Sequence, residues 1–279
     1  MGTLYVVATP IGNLEDLSPR AVRILGEVSL IAAEDTRHTG KLLQHFGIRT
    51  RLVSYFEHNK LQRIRPVLDA LAVGDVALVS DAGTPALNDP GYELVRAALA
   101  AGHSVLPVPG PSAAIAALAV SGLPTASWLY LGYLPRKRTE RQRFLQSVRA
   151  EPHTLVFLES PHRIAAALKD LSAVLGDRPI AVAREMTKLF EEYWRGTITG
   201  ALQYFSSQPP RGEFVLVVSG AAQPPRGARK PSTGRWTDRR LTGAIRRGLA
   251  AGETPSRLAA RLAGESGWER REVYKRITS

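Results

Sequence analysis

Short apolar runs broken by glycine and proline set the rhythm of the chain. Residues 4–8, 76–80 and 105–108 are runs of four or five β-branched and apolar residues, and each opens into a loop of small residues. Such runs suit strands buried on both faces of a parallel sheet, and the intervening stretches are long enough for crossover helices. Ser18, followed by Pro19, caps a predicted helix, and further helices are expected over 39–46, 61–72, 92–101 and 113–120. Residues 30–33 and 51–55 add two strands.

Residues 122–144 change character and read as a linker into a second α/β unit. That unit has strands at 154–158, 180–183 and 214–219 and a helix at 164–175, and LFEEYW within 183–197 reads as helical. Past a proline- and glycine-rich stretch, Leu241, Ile245, Leu249, Leu258, Leu262, Trp268, Val273 and Ile277 fall at helical spacing. Residues 254–277 resemble a helix–turn–helix, with Thr254 as cap, Pro255 in the first turn, and Gly264 or Gly267 at the turn. The expected division is therefore an α/β domain over 1–121, a second over 122–222, a linker over 223–235 and a small helical module over 236–279.

Three loops carry the candidate chemistry: ATPIGN (8–13), SDAGTPALNDPG (80–91) and PGPSA (109–113). Ligands of open parallel sheets sit outside the carboxyl ends of the strands, so these loops predict a small-molecule pocket. ATPIGN has one glycine where a dinucleotide fingerprint needs three, and no P-loop is present. The loops offer carbonyls, hydroxyls and small side chains instead, a wall suited to an adenine ring, a ribose and a modest charge. Asp81 and Thr84 can meet hydroxyl or amino groups, and Gly83, Gly110 and Ser112 allow close backbone approach. Pro109 and Pro111 stiffen the third loop.

Composition narrows the class. With 279 residues and 44% apolar content, the chain can build two ordinary cores. Its longest apolar stretches fall short of a membrane span and no basic-then-apolar leader opens it, so neither membrane insertion nor secretion is expected. Cysteine is absent, which excludes disulfides and thiolate sites and fits a cytoplasmic location. The net charge of +12 is uneven: residues 223–279 carry fourteen Lys/Arg against five Asp/Glu, a net +9. A near-neutral body with a basic C-terminal segment predicts a polyanionic partner, most economically nucleic acid.

The motifs TPIGNLEDLSPRA (9–21), AEDTRHTGKLL (33–43), SDAGTPALNDPG, PVPGPSA (107–113), ESPHR (159–163) and AREMTK (183–188) closely resemble the ribosomal small-subunit methyltransferase I group of the tetrapyrrole methylase superfamily. The resemblance runs through nearly the whole chain in matching order. It implies two α/β domains with a cleft between them, S-adenosylmethionine as methyl donor, and a homodimer. The implied acceptor is the ribose 2′-hydroxyl of a cytidine in 16S ribosomal RNA of the small subunit, near the decoding centre. Gly83, Thr84 and Pro85 stand where the superfamily has glycine–aspartate–proline, so the usual aspartate is replaced by Thr84. Pro10, Gly12, Leu87, Pro109, Ser112 and Ala113 match other cofactor positions, and Glu159 and Ser160 fall in the second domain's corresponding loop.

Loss of the hydroxyl proton calls for a base or a cation beside the forming alkoxide. Glu185, Lys188, Asp35 and His58 are the candidates, and Glu185 with Lys188, three residues apart, is favoured over His58. Arg37, Arg136, Lys137, Arg138, Arg163 and Arg184 are expected to hold RNA, together with the rest of the 136–143 run and the C-terminal module. His38, His45, His103 and His153 show no metal-ligand grouping. Two alternatives stay open: a methylase of the same fold acting on a small molecule such as a tetrapyrrole, and a non-catalytic RNA-binding factor of ribosome assembly.

Overall fold

The computed structural model describes residues 2–207, 211–222 and 235–279. The first half consists of β1 (Thr3–Val7), α1 (Pro19–Glu27), β2 (Leu30–Ala33), α2 (Thr36–His45), β3 (Leu52–Ser54), α3 (Lys60–Val73), β4 (Val76–Val79), α4 (Tyr92–Ala100), β5 (Ser104–Val108) and α5 (Ala113–Val120). Local chemistry sets several of these ends. The Ser18 hydroxyl accepts from the Ala21 amide at 3.1 Å, with Pro19 at the first helical position. Helix α2 starts earlier than the apolar period suggests because Asp35 caps it, accepting from the Arg37 amide at 2.8 Å.

The five strands form one parallel sheet in the order β3-β2-β4-β1-β5. Alternate side chains divide between its faces, as strand geometry requires. Val7, Ile31, Ala77 and Val79 pack under α1 and α2, whereas Leu4, Ala32, Val76 and Leu78 pack under α3 and α4.

The second half consists of β6 (Trp128–Tyr133), α6 (Arg138–Ser147), β7 (Thr154–Glu159), α7 (Ile164–Leu175), β8 (Pro179–Arg184), β9 (Glu192–Thr197), α8 (Ile198–Ser206) and β10 (Phe214–Val218). Its sheet runs β6-β7-β10-β8-β9, with β6 parallel to β7 and the other neighbours antiparallel. Two expectations change here. The expected linker 122–144 contains strand β6 and the start of α6. The LFEEYW segment is not helical: Glu185 and Thr187 take left-handed backbone (φ 50° and 64°), and β9 turns back along β8 as a hairpin. Pairing decides the matter, because Tyr193 and Trp194 pack on opposite faces of the sheet, a period-two arrangement that a helix does not allow.

One face of this second sheet is covered by α6, α7 and α8, the other by α5, whose Ala117 and Leu118 meet Val156, Ala183 and Val215. Helix α5 ends at the expected boundary near residue 121 yet packs on the second sheet, so residues 1–221 form one compact unit. Within it, Arg141 of the expected basic run points inward. Arg141 and Asp170 are 5% and 2% exposed and meet at 2.5 Å, with Gln142 also donating to Asp170 at 2.9 Å. Arg141 is thereby removed from any RNA surface.

The second unit is a bundle of α9 (Asp238–Ala250), α10 (Pro255–Ser266) and α11 (Arg270–Thr278) around Leu241, Leu258, Leu262, Trp268 and Val273. The turn between α10 and α11 falls at Gly267–Glu269 rather than Gly264. Trp268 donates its indole N–H to the Trp236 carbonyl at 2.8 Å, while the Arg235 and Arg276 guanidinium groups lie 3.7 and 4.4 Å from its ring centroid. Of the expected linker, only Arg235 belongs to the described residues. Among these no helix is long and apolar enough to cross a membrane.

Removing one partner of a buried ion pair strands the other charge. Asp170→Ala is expected to destabilise the protein by about 3 kcal/mol in urea unfolding at neutral pH. A loss below about 1 kcal/mol, the range of an exposed pair, would show that Arg141 is not held as described.

Candidate active site

The order β4-β1-β5 makes neighbours of the three strands whose loops were singled out, and the loops are tied to one another. Thr9 and Gly83 exchange backbone hydrogen bonds at 2.9 and 3.0 Å, and the buried Thr9 hydroxyl donates to the Ser80 carbonyl at 3.0 Å. The Thr84 hydroxyl reaches the Pro111 carbonyl at 3.2 Å, joining second loop to third. Threonine at this position is therefore a brace between loops.

Beside these loops lies a cavity of about 560 Å³, walled on one side by the first sheet's loops and on the other by the second sheet. This is the size of a small-molecule site. Asp81, Gly83, Thr84, Leu87, Ser112 and Ala113 of the expected cofactor set line it, as do Glu185 and Lys188. Pro10, Gly12, Pro109, Glu159 and Ser160 lie off its wall. Gly12 serves it from behind: a Cβ there would sit 2.5 Å from Cγ of Lys188 and 3.0 Å from the Met186 carbonyl, so glycine lets the 186–188 turn close against the first loop. Glu159 is fully buried, with Oε1 accepting from the Ser160 amide at 2.8 Å and Oε2 3.1 Å from the Arg163 guanidinium. Burial pushes its carboxyl upward against the pull of these donors.

The four candidates for proton handling separate. Glu185 and Lys188 face the cavity and meet at 2.9 Å, brought together by a tight turn in place of the expected helix. Asp35 is turned to Arg37 at 2.7 Å, and these hydrogen bonds hold its carboxyl far below the usual range. His58 is exposed against the edge of Phe56 and lies off the cavity wall. Of the expected RNA contacts, Arg136, Lys137, Arg138 and Arg37 are exposed. Arg163 turns inward to Glu159 and to the Leu134 and Pro135 carbonyls, and Arg184 to Glu192, so both serve the fold at these positions.

Sequence reasoning missed much of the cavity's charge. Glu34, Asp89 and Glu213 line it beside Asp81 and Glu185, five carboxylates against one lysine. Glu34 accepts from the Asp81 amide at 3.2 Å, Asp81 from the Asp35 amide at 3.0 Å. Burial raises Glu34, and burial with the neighbouring charges of Glu34, Asp81 and Glu213 pushes Asp89 up to about 6, against a Ser80 hydrogen bond that lowers it. The only sequence signal was the membership of Glu34 and Asp89 in the motifs already quoted, and Glu213 lies outside all of them. Among the described residues no group of acids and histidines could hold a metal.

A carboxyl whose value is raised in the folded state lends stability that is complete below its unfolded value and lost as pH rises through the folded one. With Asp89 near 6 and an unperturbed value near 3.8, that window is roughly pH 4–6. Asp89→Asn is expected to raise the melting temperature of the ligand-free protein by a few degrees at pH 7.5. The gain should fade as the pH drops below about 4. Thermal melts across this range check it, and a gain independent of pH would contradict it.

The model of the tetrapyrrole (corrin/porphyrin) methylase family matches residues 3–201. A ribosomal RNA small subunit methyltransferase I from Synechocystis sp. is 48% identical over 277 residues, covering 99% of this chain and 97% of that protein. Its namesake in Xylella fastidiosa is 49% identical, covering 98% of each. Among solved structures, the methyltransferase CobJ superposes with a TM-score of 0.60 at 19% identity, covering 80% of this chain and 95% of that one. Uroporphyrin-III-C-methyltransferase from Thermus thermophilus gives 0.54 at 22%, covering 78% and 94%. At such identities the structures bear on the fold, while the curated relatives bear on the lineage. The chain belongs to the tetrapyrrole methylase family, within the branch of ribosomal RNA small subunit methyltransferase I.

Proposed function

We propose that this protein methylates the ribose 2′-hydroxyl of a cytidine in 16S ribosomal RNA. The protein is a methyltransferase of small-subunit ribosomal RNA, and S-adenosylmethionine is its methyl donor. One observation carries the reading of the site, the acidic cavity at the braced loops of β1, β4 and β5. Ala82, Gly83, Ala113 and Ala114 give a smooth wall for a purine ring, and Asp81 and Glu34 complement a ligand bearing sulfonium and ammonium charge. When bound, the cofactor supplies an electrophilic methyl group for in-line displacement.

The chain's own part is alignment, desolvation and proton handling. The braced loops hold one reactant rigidly, which makes positioning the largest share of the rate gain. Glu185 is set to accept the hydroxyl proton, and the Lys188 ammonium beside it to stabilise the developing alkoxide. Arg136, Lys137, Arg138 and Arg37 supply exposed positive charge for phosphates. Arg271 and Lys275, exposed one turn apart on α11, offer the same in the second unit, in the manner of a recognition helix. We further propose a cytoplasmic homodimer and the division at residues 121, 222 and 235.

Incubation with undermethylated small subunits, followed by mass-spectrometric mapping of nucleosides, is expected to show one new 2′-O-methylcytidine. Methylation on a base atom, or none in RNA, would overturn the proposal, the latter in favour of a small-molecule acceptor. Glu185→Ala and Lys188→Ala should slow single-turnover transfer by about 10²-fold or more while leaving cofactor affinity within a few-fold. Single-turnover rates unchanged from wild type in both variants would remove the pair from the mechanism. Deleting 223–279 should weaken RNA binding and flatten its salt dependence, with cofactor affinity unchanged in calorimetric titration.

A further inference from the structure

Strand β6 carries a device that neither the cofactor loops nor the Glu185–Lys188 pair explains. Up to Tyr130 its side chains alternate normally: Trp128 and Tyr130 join the cluster on the α5 face, Leu129 and Leu131 the core on the other. Continued alternation would send Tyr133 to the side of Leu129 and Leu131. Instead the register with β7 shifts between Tyr130 and Gly132, and Gly132 takes left-handed backbone with φ 64°. Tyr133 consequently faces the same cavity as Trp128 and Tyr130, still 42% exposed. Bulges that re-aim one side chain are characteristic of sites.

The bulge is held from both sides. A Cβ at Gly132 would lie 2.5 Å from Nδ2 of Asn88, so the bulge leans on the cofactor loop next to Asp89. The chain beyond Tyr133 is gripped by two inward arginines. Arg163 donates to the Leu134 and Pro135 carbonyls, Arg141 to those of Pro135 and Arg136 at 3.3 and 3.2 Å. Their own charges are anchored by Glu159 and Asp170. Two buried ion pairs thus fix a partly exposed aromatic ring at a cavity, an arrangement with no evident benefit to the core.

Asp89 and Glu213 share that wall, and burial with their two charges pushes the Tyr133 phenol up to about 12. Aromatic faces flanked by acceptor-only carboxylates have a definite chemical complement. Unpaired RNA bases stack on aromatic side chains, and a carboxylate accepts from a base's exocyclic amine. Resting on the RNA-methylation reading above, we propose that Tyr130 and Tyr133 seat the unstacked base of the acceptor nucleotide while Asp89 and Glu213 accept from its exocyclic amine. The cavity then has two ends, the first sheet's loops for the methyl donor and the β6 bulge for the acceptor base.

The test uses the full chain with undermethylated small subunits, and with an RNA whose acceptor base lacks the amine. Tyr133→Ala is expected to lower kcat/KM for subunits about tenfold or more, with Tyr133→Phe near wild type and S-adenosylmethionine affinity unchanged in both. Tyr133→Leu, which keeps bulk without a π face, gives the same reading should the alanine variant melt early. Wild type should discriminate against the amine-lacking acceptor, and the Asp89→Asn/Glu213→Gln double variant should lose that discrimination. Weakened cofactor binding in Tyr133→Ala would assign the wall to the donor and overturn the proposal. Unchanged kinetics on an active wild-type background would overturn it alone, whereas an inactive wild type would overturn the function reading with it.

Discussion

The two backbone hydrogen bonds between Thr9 and Gly83 are the constraint on which the site depends. They join the loops after β1 and β4, strands far apart in the chain but adjacent in the sheet, and Thr84 extends the tie to the loop after β5. A loop alone is mobile and costs entropy to order. Three loops that satisfy one another's backbone groups form a wall fixed before any ligand arrives. The alanine-rich α5 leaves this wall and packs on the second sheet, carrying the same rigidity across the cavity. Gly12 completes the join by letting the 186–188 turn close on the first loop.

Charge is sorted by position. The protein carries a large positive excess, yet the cavity is lined by carboxylates, a distribution that suits a cationic donor inside and a polyanion outside. Burial, and then the charges of neighbouring acids, raise Asp89, while hydrogen bonds from Arg37 lower Asp35. Arginine has two uses here. Arg136 and Lys137 stay in solvent, Arg138 is exposed but also reaches Asp170 at 3.4 Å, and Arg141 and Arg163 neutralise buried acids and cap the carbonyls that follow β6. In the second unit, arginines instead stack on Trp236 and Trp268, covering a small core that lacks a sheet.

The strongly periodic elements were legible in the sequence because their signals are local. Buried strands such as β2 and β4 are unbroken apolar runs, and Ser18–Pro19 announces α1 through its own hydroxyl and ring. The motif loops pointed to the cavity because three of them follow short apolar runs, although each alone has the composition of an ordinary turn. The Glu185–Lys188 pairing was also anticipated, though by helical spacing, whereas a left-handed turn makes it. Strand β9 was misread because its aromatic residues suit either state until a partner strand is present.

The sequence by itself determined the α/β alternation, the basic C-terminal segment and the loops in which the site lies, since each follows from residues near in the chain. Tertiary structure alone decided which loops are neighbours, which arginines are buried, and that Tyr133 faces the cavity. Those outcomes depend on strand order and on a one-residue shift in register, and such long-range pairings leave no trace in local composition.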